Sequence, residues 1–126
     1  MPNPKVLIVD DEENILSALK RLFRKDNYQI LMAESGEEAL ALIDKQDFSV
    51  VILDLRLPGM TGIDVLKKVK TLKPDIKSIV ITAYPTMLTK DEAKRLGAID
   101  YLIKPVFPED LERLILENLG KLEGGE

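Results

Sequence analysis

An α/β fold with a parallel sheet is predicted by three observations on this chain of 126 residues. Residues 6–9, 50–53 and 101–103 are apolar runs without polar alternation, typical of strands covered on both faces. Amphipathic stretches with helical spacing lie between them. Charged residues follow each run: Asp10 and Asp11, Asp54, and Lys104. Because parallel strands end at one edge of a sheet, we expect these charges to converge there.

The first half of the chain supplies two strands and two helices before the run at 50–53. A helix is predicted directly after Asp11, from apolar residues at helical spacing: Ile15, Leu16, Leu19, Leu22 and Phe23. Residues 29–33 should form the second strand. Ser35 and Glu38 match a capping box that opens the next helix, whose core face includes Leu40 and Ile43.

The second half continues the alternation. Thr61 is predicted to cap a helix that ends before Pro74, with the apolar stripe Val65, Leu66, Val69 and Leu72. The fourth strand should cover residues 78–81. Thr89 and Glu92 match a second capping box, opening a short helix that Gly97 closes in a left-handed conformation.

The chain should end in a strand at about residues 100–103 and a last helix. Pro108 suits the first helical position, with Glu109 and Asp110 in the first turn. The predicted core face of this helix is Leu111, Leu114, Ile115 and Leu119. No composition break interrupts the five strand-and-helix units, so we predict one domain over residues 1–120, with 121–126 a tail or the start of a linker.

Composition limits the chemistry. The chain has no cysteine and no histidine, which excludes disulfides, thiolate nucleophiles, a histidine general base and imidazole metal ligands. Its formal charge of −4 argues against a large basic surface for nucleic acid, so no direct DNA binding is expected. No apolar run approaches a signal sequence or a membrane span. We therefore expect a soluble, cytoplasmic protein that does not enter a membrane.

Four segments together resemble the response-regulator receiver domain over nearly the whole chain: residues 9–12, 53–62, 81–83 and 97–105. Each segment is weak alone, but their order and spacing are highly specific. The resemblance implies a flavodoxin-like (β/α)5 fold, a doubly wound five-stranded parallel sheet with strand order 2-1-3-4-5.

The resemblance also implies roles for the charged residues. Asp54 would be the phosphoacceptor, a carboxylate nucleophile that forms an aspartyl phosphate. Asp11 and Asp54 would bind Mg²⁺ directly, Asp10 through water, and Arg56 through its backbone carbonyl. Lys104 would contact the acceptor carboxylate and then a phosphoryl oxygen, with a cis bond to Pro105.

Thr82 and Tyr101 would form the switch. The Thr82 hydroxyl would bind a phosphoryl oxygen, and Tyr101 would then rotate inward. Simpler interpretations stay open for every residue named. Asp54 is also typical of a turn before Pro58, and Asp10 or Asp11 of a helix cap. Lys104 could be a solvated lysine, and Thr82 and Tyr101 ordinary strand residues.

Three further residues are less standard for a receiver domain. Arg56 lies two residues after Asp54 and Tyr84 two after Thr82, positions that border the path of the hydrolytic water in this family. Bulky side chains there should slow loss of the phosphoryl group. Pro85 stands where many relatives have a small residue, so the 84–88 loop departs from the family pattern. Lys67, Lys68, Lys70, Lys73 and Lys77 are interpreted as a solvated face.

The predicted function is a two-component signalling switch rather than a conventional enzyme. Its donor would be a sensor histidine kinase or a histidine phosphotransfer protein. Its output would reach a downstream protein or effector domain through the short helix before Gly97, the last strand and the last helix. Homodimerisation stays open. The alternatives are a phosphorylation-independent adaptor, an aspartate-nucleophile phosphatase of the haloacid-dehalogenase type and a flavodoxin-like electron carrier.

Overall fold

A five-stranded parallel sheet forms the centre of the protein, in the order β2-β1-β3-β4-β5. The computed structural model describes residues 4–12, 17 and 28–122, the last three as helix backbone only. Its elements in chain order are β1 (Lys5–Val9), β2 (Gln29–Ala33), α1 (Gly36–Lys45), β3 (Val50–Asp54), α2 (Gly62–Leu72), β4 (Lys77–Thr82), α3 (Met87–Arg95), β5 (Asp100–Ile103) and α4 (Pro108–Leu122). The predicted strand order and fold class are confirmed. Apart from Ser17, the helix predicted after Asp11 lies outside the described residues.

Alternate residues of the central strands bury on opposite faces of the sheet. On one face, Leu7, Val51 and Val80 belong to a core cluster that includes residues of α1, α2 and α3. On the other face, strand residues such as Ile52 join a cluster with buried apolar residues of α4: Leu111, Ile115 and Leu119. Both faces of β1, β3 and β4 are therefore covered, which explains their lack of polar alternation.

Two helix starts match their sequence patterns. Thr61 and Asp64 form a complete capping box at α2, with each side chain accepting from the other residue's backbone N–H. At α1, the Ser35 side chain accepts from the Glu38 N–H, as predicted. The Glu38 carboxylate reaches one residue further back and accepts from the Glu34 N–H at 2.9 Å.

The predicted start of α3 was wrong by three residues. Thr86, not Thr89, is the N-cap, and its hydroxyl accepts from the Thr89 N–H at 3.0 Å. Thr89 therefore lies in the first turn of the helix, where its own hydroxyl is 2.9 Å from that of Thr86. Gly97 has φ +91°, so the prediction of a left-handed residue after this helix is confirmed.

Two further details concern helix ends. Leu72 was predicted to face the core, but it is 55% exposed because it is the last residue of α2 and the buried stripe ends at Val69. Helix α4 continues to Leu122, and the domain boundary at residue 120 stays a prediction. Within the described ranges, every helix falls short of the length and apolarity needed to cross a bilayer.

Candidate functional site

Three neighbouring strands end in the same local arrangement. In each, an oxygen of the side chain at the strand end accepts the backbone N–H two residues further on, a turn that aspartate and threonine favour. The pairs are Asp10 with Glu12 at 2.9 Å, Asp54 with Arg56 at 2.9 Å, and Thr82 with Tyr84 at 3.0 Å. Because β1, β3 and β4 are adjacent, these turns place Asp10, Asp54 and Thr82 side by side at the carboxyl edge of the sheet.

Lys104 lies one residue past the end of β5 and reaches across this edge. Its backbone N–H donates to the Thr82 carbonyl at 2.8 Å, which continues the pairing of β4 with β5. Its ammonium donates to Asp54 Oδ2 at 2.8 Å. The bond from Lys104 to Pro105 is cis, as the resemblance implied. The sequence therefore predicted correctly that an ammonium and an aspartate from distant strands would meet.

Asp10 and Asp54 are both buried, at 0% and 3% exposure. Asp10 Oδ2 lies 3.3 Å from Lys104 Nζ but accepts no hydrogen bond from any described residue. Burial raises the pKa of Asp10, and the nearby charge of Asp54 raises it further. The Glu12 N–H and the Lys104 ammonium only partly offset this. Asp10 is thus a buried carboxylate with one oxygen left for another positive partner.

The ammonium of Lys104 is held in its charged form. Burial lowers its pKa, but hydrogen bonds to Asp54 and Glu12 and the charge of Asp10 outweigh burial, so the pKa lies above the usual lysine value. A positive charge therefore stands beside Asp54 throughout the physiological pH range.

Glu12 belongs to this cluster although the sequence analysis gave it no role. Its Oε1 is 2.5 Å from Lys104 Nζ. Asp10, Glu12 and Asp54 each offer an oxygen within 4.8 Å of the others, whereas the exposed Asp11 lines the cleft outside this group. The four acidic residues in succession at positions 10–13 were the available signal. Only the turn geometry shows which of them reaches back toward Lys104.

An open cleft of about 620 Å³ gives access to these groups. Arg56 and Tyr84 line it together with Asp11, Glu12, Asp54 and Lys104, and the Arg56 guanidinium lies over the Tyr84 ring. The backbone carbonyl of Arg56 was predicted as a metal ligand. Arg56 lies two residues after Asp54 in the chain, and the role of its carbonyl stays a prediction.

The two predicted switch residues occupy neighbouring strands. Thr82 is buried at the end of β4. Tyr101 is half-buried on β5 and packs against the core cluster, and a hydrogen bond of 2.8 Å joins its hydroxyl to Thr89 Oγ1. Thr82 lies next to Asp54 on the adjacent strand. Tyr101 is hydrogen-bonded to the first turn of α3.

The donor set suits a hard divalent cation. Carboxylate oxygens are the ligands that Mg²⁺ prefers, and it retains several waters in an open site. Asp10 Oδ2 accepts no hydrogen bond from a described residue, and Asp10, Glu12 and Asp54 each offer an oxygen within 4.8 Å of the others, which matches that requirement. The acidic cluster of Asp10, Glu12 and Asp54 therefore fits magnesium binding.

The family model of the response regulator receiver domain matches residues 6–116. This chain belongs to the receiver-domain family. Receiver domains are signalling modules of two-component response regulators. They typically bind Mg²⁺ through an acidic cluster and interact with histidine kinases or phosphotransfer proteins and with output domains.

Known receiver proteins resemble this one in sequence and structure. Sporulation initiation phosphotransferase F of Bacillus subtilis is 40% identical over 105 residues, 83% of this chain and 85% of that protein. Transcriptional regulatory protein ZraR of Escherichia coli is 39% identical over 87% of this chain, which spans only 25% of ZraR. A CheY-like receiver domain from Methanospirillum hungatei has a TM-score of 0.91 at 33% identity, covering 98% of this chain and 99% of that one.

Proposed function

We propose that this receiver domain accepts a phosphoryl group on Asp54 and passes on the signal through a change of shape. One observation carries the proposal: Asp54 Oδ2 lies 2.8 Å from Lys104 Nζ at the base of an open cleft, with the buried Asp10 beside it. A carboxylate merely opening a turn has no need of a buried ammonium partner from a distant strand. The similarity to a protein named a phosphotransferase supports the same function.

The chain's own contribution to the chemistry is positioning and charge. In the proposed step a carboxylate oxygen of Asp54 attacks phosphorus, and the bond from phosphorus to the donor's imidazole nitrogen breaks, leaving its electron pair on that nitrogen. Little covalent chemistry is required of the protein, so the rate depends on alignment and on charge stabilisation. Lys104 supplies a fixed positive charge for the phosphoryl oxygens, and the N–H of Arg56 fixes the orientation of the acceptor by holding Asp54 Oδ1.

Asp54, Asp10 and Asp11 would hold Mg²⁺, with the Arg56 carbonyl as a further oxygen and Glu12 near enough to contribute. When bound, the ion would neutralise charge on the transferring phosphoryl oxygens. Three clustered carboxylates also repel one another in its absence. Magnesium should therefore stabilise the folded domain as well as support the reaction.

Thr82 and Tyr101 would convert the modification into a change of shape. The Thr82 hydroxyl accepts a hydrogen bond from the Tyr84 N–H. If the hydroxyl moved to bind a phosphoryl oxygen, the loop that follows β4 would move with it. Movement of that loop would disturb Thr86, the cap of α3, and with it the hydrogen bonds from Thr86 to Thr89 and from Thr89 to Tyr101. Rotation of Tyr101 would then alter the surface formed by α3, β5 and α4, from which we expect output to a downstream protein or effector domain.

Beryllofluoride binding tests the acceptor directly, because it mimics a phosphoryl group without undergoing hydrolysis. With Mg²⁺ present, the parent protein should form a complex with a distinct fluorine NMR signal, and Asp54→Asn should form none. Asp44→Asn removes an equivalent charge from the exposed face of α1 and serves as the matched control. A complex that persists in Asp54→Asn would overturn the assignment, and no complex in any variant would favour the adaptor. Turnover of added phosphate esters would instead favour a phosphatase.

A further inference from the structure

Lys104 has three carboxylate partners, Asp10, Glu12 and Asp54. Its Nζ lies 2.5 Å from Glu12 Oε1, 2.8 Å from Asp54 Oδ2 and 3.3 Å from Asp10 Oδ2. Asp54 is the proposed acceptor and Asp10 a proposed metal residue. Glu12 makes the shortest of these contacts, and a place near the metal does not account for its contact with Lys104.

The backbone turn directs Glu12 toward this ammonium. The Glu12 N–H donates to Asp10 Oδ1, which fixes the chain two residues beyond the strand. The side chain is 54% exposed and approaches Lys104 from the solvent side, whereas the Asp54 side chain is 5% exposed. The oxygen of Glu12 is within 4.8 Å of that of Asp54, so a negative charge stands next to the place where a phosphoryl group would be added.

We propose that Glu12 is a positioning residue that holds Lys104 in the unphosphorylated protein and competes for it with the incoming phosphoryl group. The proposal rests on Asp54 being the phosphoacceptor. Before the reaction, the Lys104 ammonium donates one of its hydrogen bonds to the exposed Glu12 carboxylate. During the reaction its charge opposes the phosphoryl oxygens that need the same ammonium. Glu12 thereby sets how readily the domain becomes phosphorylated.

Removal of this charge should accelerate phosphorylation. A unit charge about 4 Å away in water changes an equilibrium or a rate by about fivefold. Because Glu12 is exposed, salt should screen most of this effect. Glu12→Gln retains the shape of the side chain and Glu12→Ala removes it, so an effect of charge is common to both variants. Glu37→Gln, at an exposed site in the first turn of α1, loses the same charge and is the matched control.

The kinetic experiment measures the initial rate of the phosphoryl adduct by intact mass, with acetyl phosphate below saturation, Mg²⁺ at saturation, and either about 50 or about 500 mM salt. We expect about fivefold faster reaction in both Glu12 variants at low salt, a smaller gain at high salt, and no change in Glu37→Gln. Equal or slower rates would overturn the proposal, and slower rates with weakened Mg²⁺ binding would assign Glu12 to the metal instead. A gain that salt leaves unchanged would also overturn it.

A second measurement needs no metal and no reaction. The ammonium NMR signal of Lys104, assigned by its loss in Lys104→Arg, should be visible in the metal-free parent because ion pairing protects it. It should shift and broaden in Glu12→Gln and stay unchanged in Glu37→Gln. An unchanged signal in Glu12→Gln would overturn the proposed contact. If the parent forms neither an adduct nor a beryllofluoride complex, the proposed function fails and this proposal fails with it.

Discussion

The guanidinium of Arg56 lies 4.3 Å from the centre of the Tyr84 ring. The two residues come from the loops after β3 and β4, which are adjacent strands, and both line the cleft above Asp54. The resemblance to receiver domains implied, for each position separately, that it borders the path of the hydrolytic water. A cation–π contact joins these two otherwise exposed side chains. Together they form one continuous wall of the cleft.

Loss of this wall should shorten the lifetime of the phosphorylated protein. Arg56→Ala and Tyr84→Ala should each accelerate hydrolysis by about two- to fivefold, the range that corresponds to an exposed cation–π contact. The decay of the phosphorylated mass after removal of the donor measures this. If the pair acts as one unit, the double variant should decay no faster than the single variants. Arg95→Ala, at an exposed position of α3, is the control, and unchanged decay in both single variants would contradict the prediction.

Asp10 should reduce the stability of the metal-free domain. Its burial and the nearby charge of Asp54 disfavour the ionised form. Asp10→Asn should therefore raise the free energy of unfolding without Mg²⁺ by about 1 kcal/mol, the scale of one buried polar group left without a partner. Urea unfolding of both proteins in chelator gives the difference. A less stable variant would show that the contact with Lys104 outweighs the cost of burial.

The advantage of Asp10→Asn should depend on pH with a definite sign. The folded-state pKa of Asp10 is raised above the usual aspartate value of 3.8, so between these two values the folded chain binds more protons than the unfolded chain. In that window the contribution of Asp10 to stability falls as pH rises, and it is lowest above the folded-state pKa. The variant's advantage should therefore be largest near neutral pH and shrink on acidification. A difference that is constant from neutral pH to about pH 4 would contradict this assignment.

Gly62 should not tolerate a side chain, because a Cβ there would collide with backbone atoms of Asp54 and Leu55. A Cβ at this position would lie 2.4 Å from the Asp54 carbonyl oxygen and 2.7 Å from the Leu55 Cα, both of them backbone atoms. Gly62→Ala should cost about 1–3 kcal/mol of stability, although alanine is normally the better helix residue. Gly59→Asn provides a contrast, since a Cβ there meets nothing within 4 Å and φ is +80°. Chemical denaturation of both variants should show the larger loss for Gly62→Ala.

The sequence predicted the sheet better than it predicted side chains at turns. Strands β2 and β5 match their predicted bounds, although both lie at an edge of the sheet and are only partly buried. The start of α3 was misplaced because both Thr86 and Thr89 are suitable caps, and tertiary contacts of Thr89 with Tyr101 decide between them. Leu72 continues the helical period of the core residues, but the core ends before it.

The sequence likewise predicted some of the site residues and missed others. Asp10, Asp54 and Lys104 could be placed together because they follow parallel strands, whose ends share one edge. Glu12 could not, since the direction of its side chain depends on the turn that Asp10 closes with the Glu12 N–H. The contact between Arg56 and Tyr84 likewise requires the relative height of two loops, which no local pattern encodes.

Intact mass after incubation with acetyl phosphate shows whether Asp54 accepts a phosphoryl group. Three samples suffice: the parent with Mg²⁺, the parent with the metal chelated, and Asp54→Asn with Mg²⁺. We expect a single phosphoryl adduct in the first sample and none in the other two. An adduct of equal yield in Asp54→Asn, or a parent that gains neither a phosphoryl adduct nor a beryllofluoride complex, would contradict this expectation.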